Sequence, residues 1–234
     1  MSIADNLAGI SKRCDAACLR AGRALGSVKL IAVSKTFPLD AVREAHEAGQ
    51  LCFGESKVQE AEPKIAMMPS NLSWHFIGSV QRNKVRKILQ DFEVIHAIDS
   101  LKLASYANDI SGELGLFPKV FLQVNLGGEA SKGGFSPEAL RFDMEKLLGL
   151  PQIDIQGLMC IPPPGSDASS ARPWFVSLRE LRNALLHEFD CSLPSLSMGM
   201  SGDFEVAIEE GATHVRVGSA IFGNRSYRVD GELG

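Results

Sequence analysis

Lys35 closes the apolar run Lys29-Leu30-Ile31-Ala32-Val33-Ser34-Lys35, just before Thr36-Phe37-Pro38. The run has the length and β-branched content of a buried strand, and Pro38 ends it. A lysine at the last residue of a strand sits at the rim of a sheet, where α/β proteins place their chemistry. Desolvation lowers the pKa of such an amine, and the neutral form can attack an aldehyde to form a Schiff base. Most strand-end lysines only reach water, so Lys35 needs a second group beside it to carry chemistry.

Two segments offer that second group. Ser197-Met198-Gly199-Met200-Ser201-Gly202-Asp203 puts small residues between a strand and a helix starting near Asp203. Free backbone N–H groups and the helix dipole favour an anion there, and Ser201 adds a hydroxyl. The same segment also reads as a tight turn with Ser201 or Asp203 as helix N-cap. Arg216-Val217-Gly218-Ser219-Ala220 again follows a strand and again supplies glycine and a hydroxyl. Arg216 and Gly218 are two apart in a strand, so both point to one side. A buried arginine needs an acceptor, either a carboxylate in a structural ion pair or a ring nitrogen of a ligand. An imine-forming lysine with two anion cups calls for a phosphorylated aldehyde. Pyridoxal 5′-phosphate is the common one, and an aldolase-type sugar phosphate is the other class.

These groups must be positioned by a regular scaffold. Ile3, Leu7, Ile10, Cys14 and Cys18 recur at helical spacing and predict an N-terminal helix within residues 1–26. Strand-then-helix units follow, with strands at 30–35, 51–55, 74–78, 94–99, 120–126, 153–161, 195–199 and 215–219. The predicted helices cover 40–48, 57–67, 81–89, 101–114, 137–148, 174–188 and 204–209. Alternation of this kind implies a parallel sheet, and eight units are what a closed (β/α)8 barrel requires. An open doubly wound sheet is the alternative. It would need fewer strands or a switch point, and neither is evident. In a barrel, one mouth collects Lys35, Glu55, Ser56, His75, Gly78, Asp99, Asn125 and Met159. The segments Gly199-Met200-Ser201 and Gly218-Ser219 join them there. The two cups follow strands seven and eight, where barrels often bind phosphate.

The 234 residues suit one large domain, and no segment reads as a linker. Apolar residues make up 45%, charged residues 22%, and the net charge is −4. No basic stretch interleaves with aromatics, which argues against nucleic acid as a partner; Arg82, Lys84, Arg86 and Lys87 read as a solvated helix face. The five cysteines lack both framework and zinc spacing, so reduced thiols in a cytoplasm are expected and no metal is. The N-terminus shows no signal pattern, and no apolar run approaches membrane-spanning length.

The ordered motifs resemble the pyridoxal phosphate homeostasis protein family (the YggS/PROSC group). They are Ala32-Val33-Ser34-Lys35-Thr36, Phe53-Gly54-Glu55 with Val58-Gln59-Glu60, and Trp74-His75-Phe76-Ile77-Gly78 with Gln81 and Asn83-Lys84. Further along come Gln123-Val124-Asn125, Ser131-Lys132 with Gly134, and Gly157-Leu158-Met159. The series ends with Leu196-Ser197-Met198-Gly199-Met200-Ser201 and Arg216-Val217-Gly218-Ser219-Ala220-Ile221-Phe222-Gly223. That family is similar to the barrel domain of bacterial alanine racemase. The resemblance implies one barrel domain over 1–234 that binds pyridoxal 5′-phosphate, with the N-terminal helix packed on it.

Carried over by position, Lys35 matches the Schiff-base lysine. Ser201, Gly218 and Ser219 match the phosphate-binding positions, and Arg216 matches the arginine facing the pyridine nitrogen. Gly199, Met200, Ser56 and His75 complete the expected cofactor-binding set. The chain departs from the family at Gly54-Glu55-Ser56-Lys57, where an asparagine is usual in place of Ser56, and at Ser79, where proline is common.

The resemblance implies a role in vitamin B6 and amino-acid homeostasis, with no catalytic residue beyond the lysine tether. Racemisation needs a base on each face of the substrate. In the racemases the opposing tyrosine comes from a separate β domain. Here the tyrosines are Tyr106 and Tyr227, one mid-helix and one in the tail, and Lys132 and His75 are further mouth candidates. A carrier of the cofactor is the expected function, with apo enzymes as recipients, a monomeric state and a cytoplasmic location. A stand-alone racemase is the alternative, and a class I aldolase-like barrel is the third reading.

Overall fold

The computed structural model describes residues 2–129, 132–163, 165 and 167–223. Eight parallel strands pair in sequence order and close into a barrel. They are β1 (Lys29–Val33), β2 (Cys52–Glu55), β3 (Ser73–Phe76), β4 (Val94–Ile98), β5 (Lys119–Gln123), β6 (Asp154–Met159), β7 (Ser195–Ser197) and β8 (His214–Val217). Closure comes from β1 lying beside β8, with Lys29 opposite His214 and Ile31 opposite Arg216. The closed (β/α)8 architecture is therefore the one expected.

The helices are α1 (Ile3–Arg20), α2 (Leu39–Glu47), α3 (Val58–Met67), α4 (Val85–Asp91), α5 (Leu101–Leu114), α6 (Pro137–Leu148), α7 (Ala168–Phe189), α8 (Phe204–Glu209) and α9 (Ser219–Phe222). A 3-10 turn over Arg82–Lys84 leads into α4. The main core lies between strands and helices, where Phe53, Phe175 and Phe204 are fully buried. Helix α1 starts with a capping box between Ser2 and Asp5 and buries Leu7, Ile10, Cys14, Ala17 and Cys18 on one stripe. It packs across α8 and α9, and Asn6 Nδ2 donates to the Ile221 carbonyl of α9 at 2.8 Å. The extra helix thereby braces the short helix at the barrel mouth.

Element ends differ from the sequence reading in a consistent direction. Strand β1 stops at Val33 and leaves Lys35 in the turn beyond it, while β3 stops at Phe76 and β7 at Ser197. Ser219 is not the last residue of a strand; it opens α9. Apolar content continues past the last ladder bond at each mouth, so pattern alone overextends the strands. Helix α7 begins six residues before the predicted Trp174. Asp167 and Ser170 form a capping box that outweighs Pro173, which lies inside the helix.

Gly157 allows one of the irregularities of the sheet. Its φ is +154°, and a Cβ there would sit 1.8 Å from the Ser195 carbonyl oxygen. The β5–β6 register shifts just before it, and that shift sets which side chains of β6 reach the mouth.

Candidate functional site

Lys35 is the second residue of a tight turn. Phe37 N–H donates to the Ser34 carbonyl at 3.1 Å, and the third residue, Thr36, has φ +70°. Turns of this shape prefer glycine at that place, and a β-branched residue there is strained. The strain is held by α3. Thr36 N–H donates to Glu60 Oε2 at 3.2 Å, and Lys64 Nζ donates to the Ser34 carbonyl at 2.9 Å. Lys64 Nζ also pairs with Glu55 Oε1 at 2.7 Å, and the Ser34 hydroxyl donates to the same oxygen at 2.7 Å. Both neighbours of Lys35 are thus tied to one helix and one buried carboxylate.

Across the mouth, the two predicted cups form one structure. The Ser201 hydroxyl accepts N–H bonds from Gly218 at 3.2 Å and Ala220 at 3.4 Å. Asp203 does not cap α8 through its side chain; its Oδ1 accepts the Met200 N–H at 2.6 Å. Burial pushes the Asp203 carboxyl up from its ordinary value. Gly199 has φ +93°, and a Cβ there would lie 2.6 Å from Ala207 Cβ, so only glycine lets the loop pack on α8.

A cavity of about 300 Å³ lies between these parts. Lys35, Ser201, Ser219 and Arg216 meet in its wall, with Phe37 and Ile161 among its apolar sides. Phe37 also packs on Phe222, with ring centroids 5.1 Å apart, and so joins the Lys35 turn to α9.

Arg216 is fully sequestered at 5% exposure, and burial pushes its pKa down. Its guanidinium donates to the Ser197 hydroxyl at 2.5 Å and the Cys160 carbonyl at 3.0 Å. Among the described residues it forms no salt bridge, so the structural ion pair is not the arrangement found. A buried cation that is bonded only to neutral oxygens and lines a cavity suits a ligand acceptor.

Three expectations need correction or narrowing. His75 is not at the mouth. It is fully buried inside the barrel, bonded to His96 and Ser73, because β3 ends one residue later and its inward positions fill the core. Ser56 lines a separate cavity of about 250 Å³ near Lys57 and Lys84. Gly199 shapes the cup from behind, while Met200 lines the Lys35 cavity.

Lys132 bonds Glu129 at 2.7 Å and reaches the Pro162 carbonyl at 3.4 Å, so it braces the loops after β5 and β6. Tyr106 lies under the Arg82 guanidinium, 4.3 Å from its ring centroid. Tyr227 falls outside the described residues. Among the described residues no acidic, histidine or cysteine cluster could hold a metal, and no helix is long and apolar enough to cross a membrane. The basic face of α4 is paired, with Arg86 on Glu113 and Lys87 on Glu62.

The clamp on the Lys35 turn was missed from sequence. Its signal was there: Ser34 and Glu55 are polar residues in apolar strand runs, and such residues are buried only with partners.

A closed parallel barrel with a lysine turn facing paired glycine-serine loops defines a barrel of the alanine racemase N-terminal type, and that domain family matches residues 8–226. The fold is shared with alanine racemase of Clostridium difficile at TM-score 0.73 and 15% identity, covering 97% of this chain and 58% of that one. Closer relatives exist. A pyridoxal phosphate homeostasis protein of Pseudomonas aeruginosa is 46% identical over 230 residues, covering 97% of each chain. PipY of Synechococcus elongatus, solved with PLP bound, superposes with TM-score 0.84 at 42% identity, covering 95% of this chain and all of that one. The chain belongs to the pyridoxal phosphate homeostasis protein family.

Proposed function

We propose that this protein holds pyridoxal 5′-phosphate on Lys35 and passes it to other proteins without turning over a substrate. The observation that carries the reading is the meeting of Lys35, the Ser201–Gly218–Ser219 loops and Arg216 in one cavity of about 300 Å³. That volume lies at the lower edge of the roughly 300–1,000 Å³ typical of small-molecule sites. When bound, the cofactor supplies an electrophilic aldehyde and an electron-accepting ring. Lys35 would hold the cofactor through its amine, among the described residues of the cavity wall the one group able to condense with an aldehyde. Ser201, Ser219 and backbone N–H groups of the two loops hold the phosphate. Arg216 would face the ring nitrogen and keep it unprotonated, because two cations would otherwise be forced together. An arginine at that place would leave the ring a weak electron sink, which disfavours chemistry at a substrate carbon.

The relatives named homeostasis proteins support a carrier over an enzyme. Apo enzymes that use the cofactor are the proposed recipients. The carrier acts as a monomer in the cytoplasm, in keeping with five cysteines that are all unpaired.

Titration of the full chain with pyridoxal phosphate gives a yellow imine band, and Lys35→Ala loses it. Incubation with L-amino acids in deuterated water then separates carrier from enzyme. Slow or no α-proton exchange is expected, while rapid exchange with turnover contradicts the carrier.

A further inference from the structure

The barrel interior holds a line of polar groups that the cofactor site does not account for. Starting at the cavity, Arg216 Nη1 donates to Ser197 Oγ at 2.5 Å. Ser197 Oγ lies 2.8 Å from His96 Nδ1, and His96 Nε2 lies 2.8 Å from His75 Nδ1. His75 Nε2 lies 3.2 Å from Ser73 Oγ, which donates to Glu93 Oε2 at 2.5 Å. Ser73 opens β3 and Glu93 precedes β4, so the line runs from the mouth through the core to the opposite rim.

The two ends fix its direction. A guanidinium can only donate, and a carboxylate can only accept. The Ser73 hydroxyl spends its proton on Glu93, so it accepts from His75 Nε2–H. His75 Nδ1 then accepts from His96 Nε2–H, and His96 Nδ1 accepts the Ser197 proton. Every bond points from Arg216 towards Glu93, and one arrangement of protons satisfies all of them. The surroundings keep the histidines neutral. Phe121 stacks on His96 with centroids 4.6 Å apart, and burial is the first cause that pushes both histidines down, aided by His214, Lys29 and, for His96, Arg216.

We infer that this one-way chain positions Arg216. The Ser197 hydroxyl is locked because its proton is committed to His96, and its lone pair then holds the guanidinium against the ring nitrogen of the cofactor. His96 and His75 are positioning residues, and Glu93 sets the polarity from the far rim. The inference rests on the proposed cofactor only in its last link.

Long-range ¹⁵N–¹H correlation NMR on the full chain without cofactor reads the polarity directly. Protonated Nε2 and bare Nδ1 are expected on both His75 and His96, and a protonated Nδ1 on His96 overturns the inference. The Glu93 side chain is 47% exposed, so Glu93→Ala should leave the fold intact. It frees the Ser73 hydroxyl to donate to His75, and mixed tautomers at His75 are expected. An unchanged His75 pattern overturns the chain.

The link to the site is read by absorbance titration with pyridoxal phosphate. His96→Leu takes away the acceptor of the Ser197 proton, and affinity should fall about 5- to 10-fold with the imine band retained. His96→Asn offers an oxygen near the Nδ1 position and should recover affinity to within about 2-fold of the parent. Parent-like affinity in His96→Leu refutes the positioning role while the parent's imine stands. A parent that forms no imine refutes the cofactor instead, and the tautomer pattern then decides the chain alone.

Discussion

Lys64 Nζ lies 2.7 Å from Glu55 Oε1 directly beneath the turn that carries Lys35, with both side chains almost wholly buried. The pair holds the turn at Ser34 through a hydroxyl and a carbonyl at once. Removing one partner leaves the other charge buried alone. Lys64→Met should therefore cost about 3–5 kcal/mol, read from urea denaturation. The double replacement Lys64→Met with Glu55→Leu should cost less than Lys64→Met alone. A double variant worse than Lys64→Met would show that the pair is not a compensated charge couple.

In the proposed binding mode the phosphate and the aldehyde are held by different residues, so their contributions can be separated. Ser201→Ala removes the hydroxyl that links the loops after β7 and β8. Affinity for pyridoxal phosphate should fall about 10-fold or more, since a hydrogen bond to a charged group contributes about 1.5–3 kcal/mol. Affinity for pyridoxal, which has no phosphate, should hardly change. Equal losses for both ligands would place Ser201 outside the phosphate cup.

The histidine core makes a pH prediction. Burial pushes His75 down from 6.5 to about 3 and His214 from 6.5 to about 4, and it holds His96 well below 6.5. In the unfolded chain these groups protonate near 6.5, so unfolding takes up protons below that pH. Stability is thus full above pH 6.5 and falls as pH drops towards 4, by up to about 1.4 kcal/mol per pH unit for each group. Between pH 6.5 and 5 most carboxylates stay ionised, so that window reports the histidines. Urea midpoints should fall steadily across it, and a flat profile would contradict a neutral histidine core.

Much of the scaffold was legible because strand and helix periods alternate cleanly from Leu30 to Val217. The cavity residues Lys35, Ser201, Arg216, Gly218 and Ser219 were also legible, since strand-end position fixes which loops meet. What failed was depth along the strand. His75 sits one residue inside the end of β3, which is enough to turn a mouth residue into a core residue. The clamp through Glu55, Glu60 and Lys64 joins residues of β2 and α3 to the Lys35 turn, and no spacing rule encodes that contact. The same holds for the His96–Ser197 bond, whose members are 101 residues apart on β4 and β7. Thr36 hides its positive φ because threonine ordinarily signals extended chain.

Lys35 is proposed to be the residue that holds the cofactor. Borohydride reduction of the protein mixed with pyridoxal phosphate, followed by digestion and peptide mass mapping, tests it most directly. A single dominant phosphopyridoxyl adduct on Lys35, absent from Lys35→Ala, is expected. An adduct spread over surface lysines, or one that persists undiminished in Lys35→Ala, would contradict it.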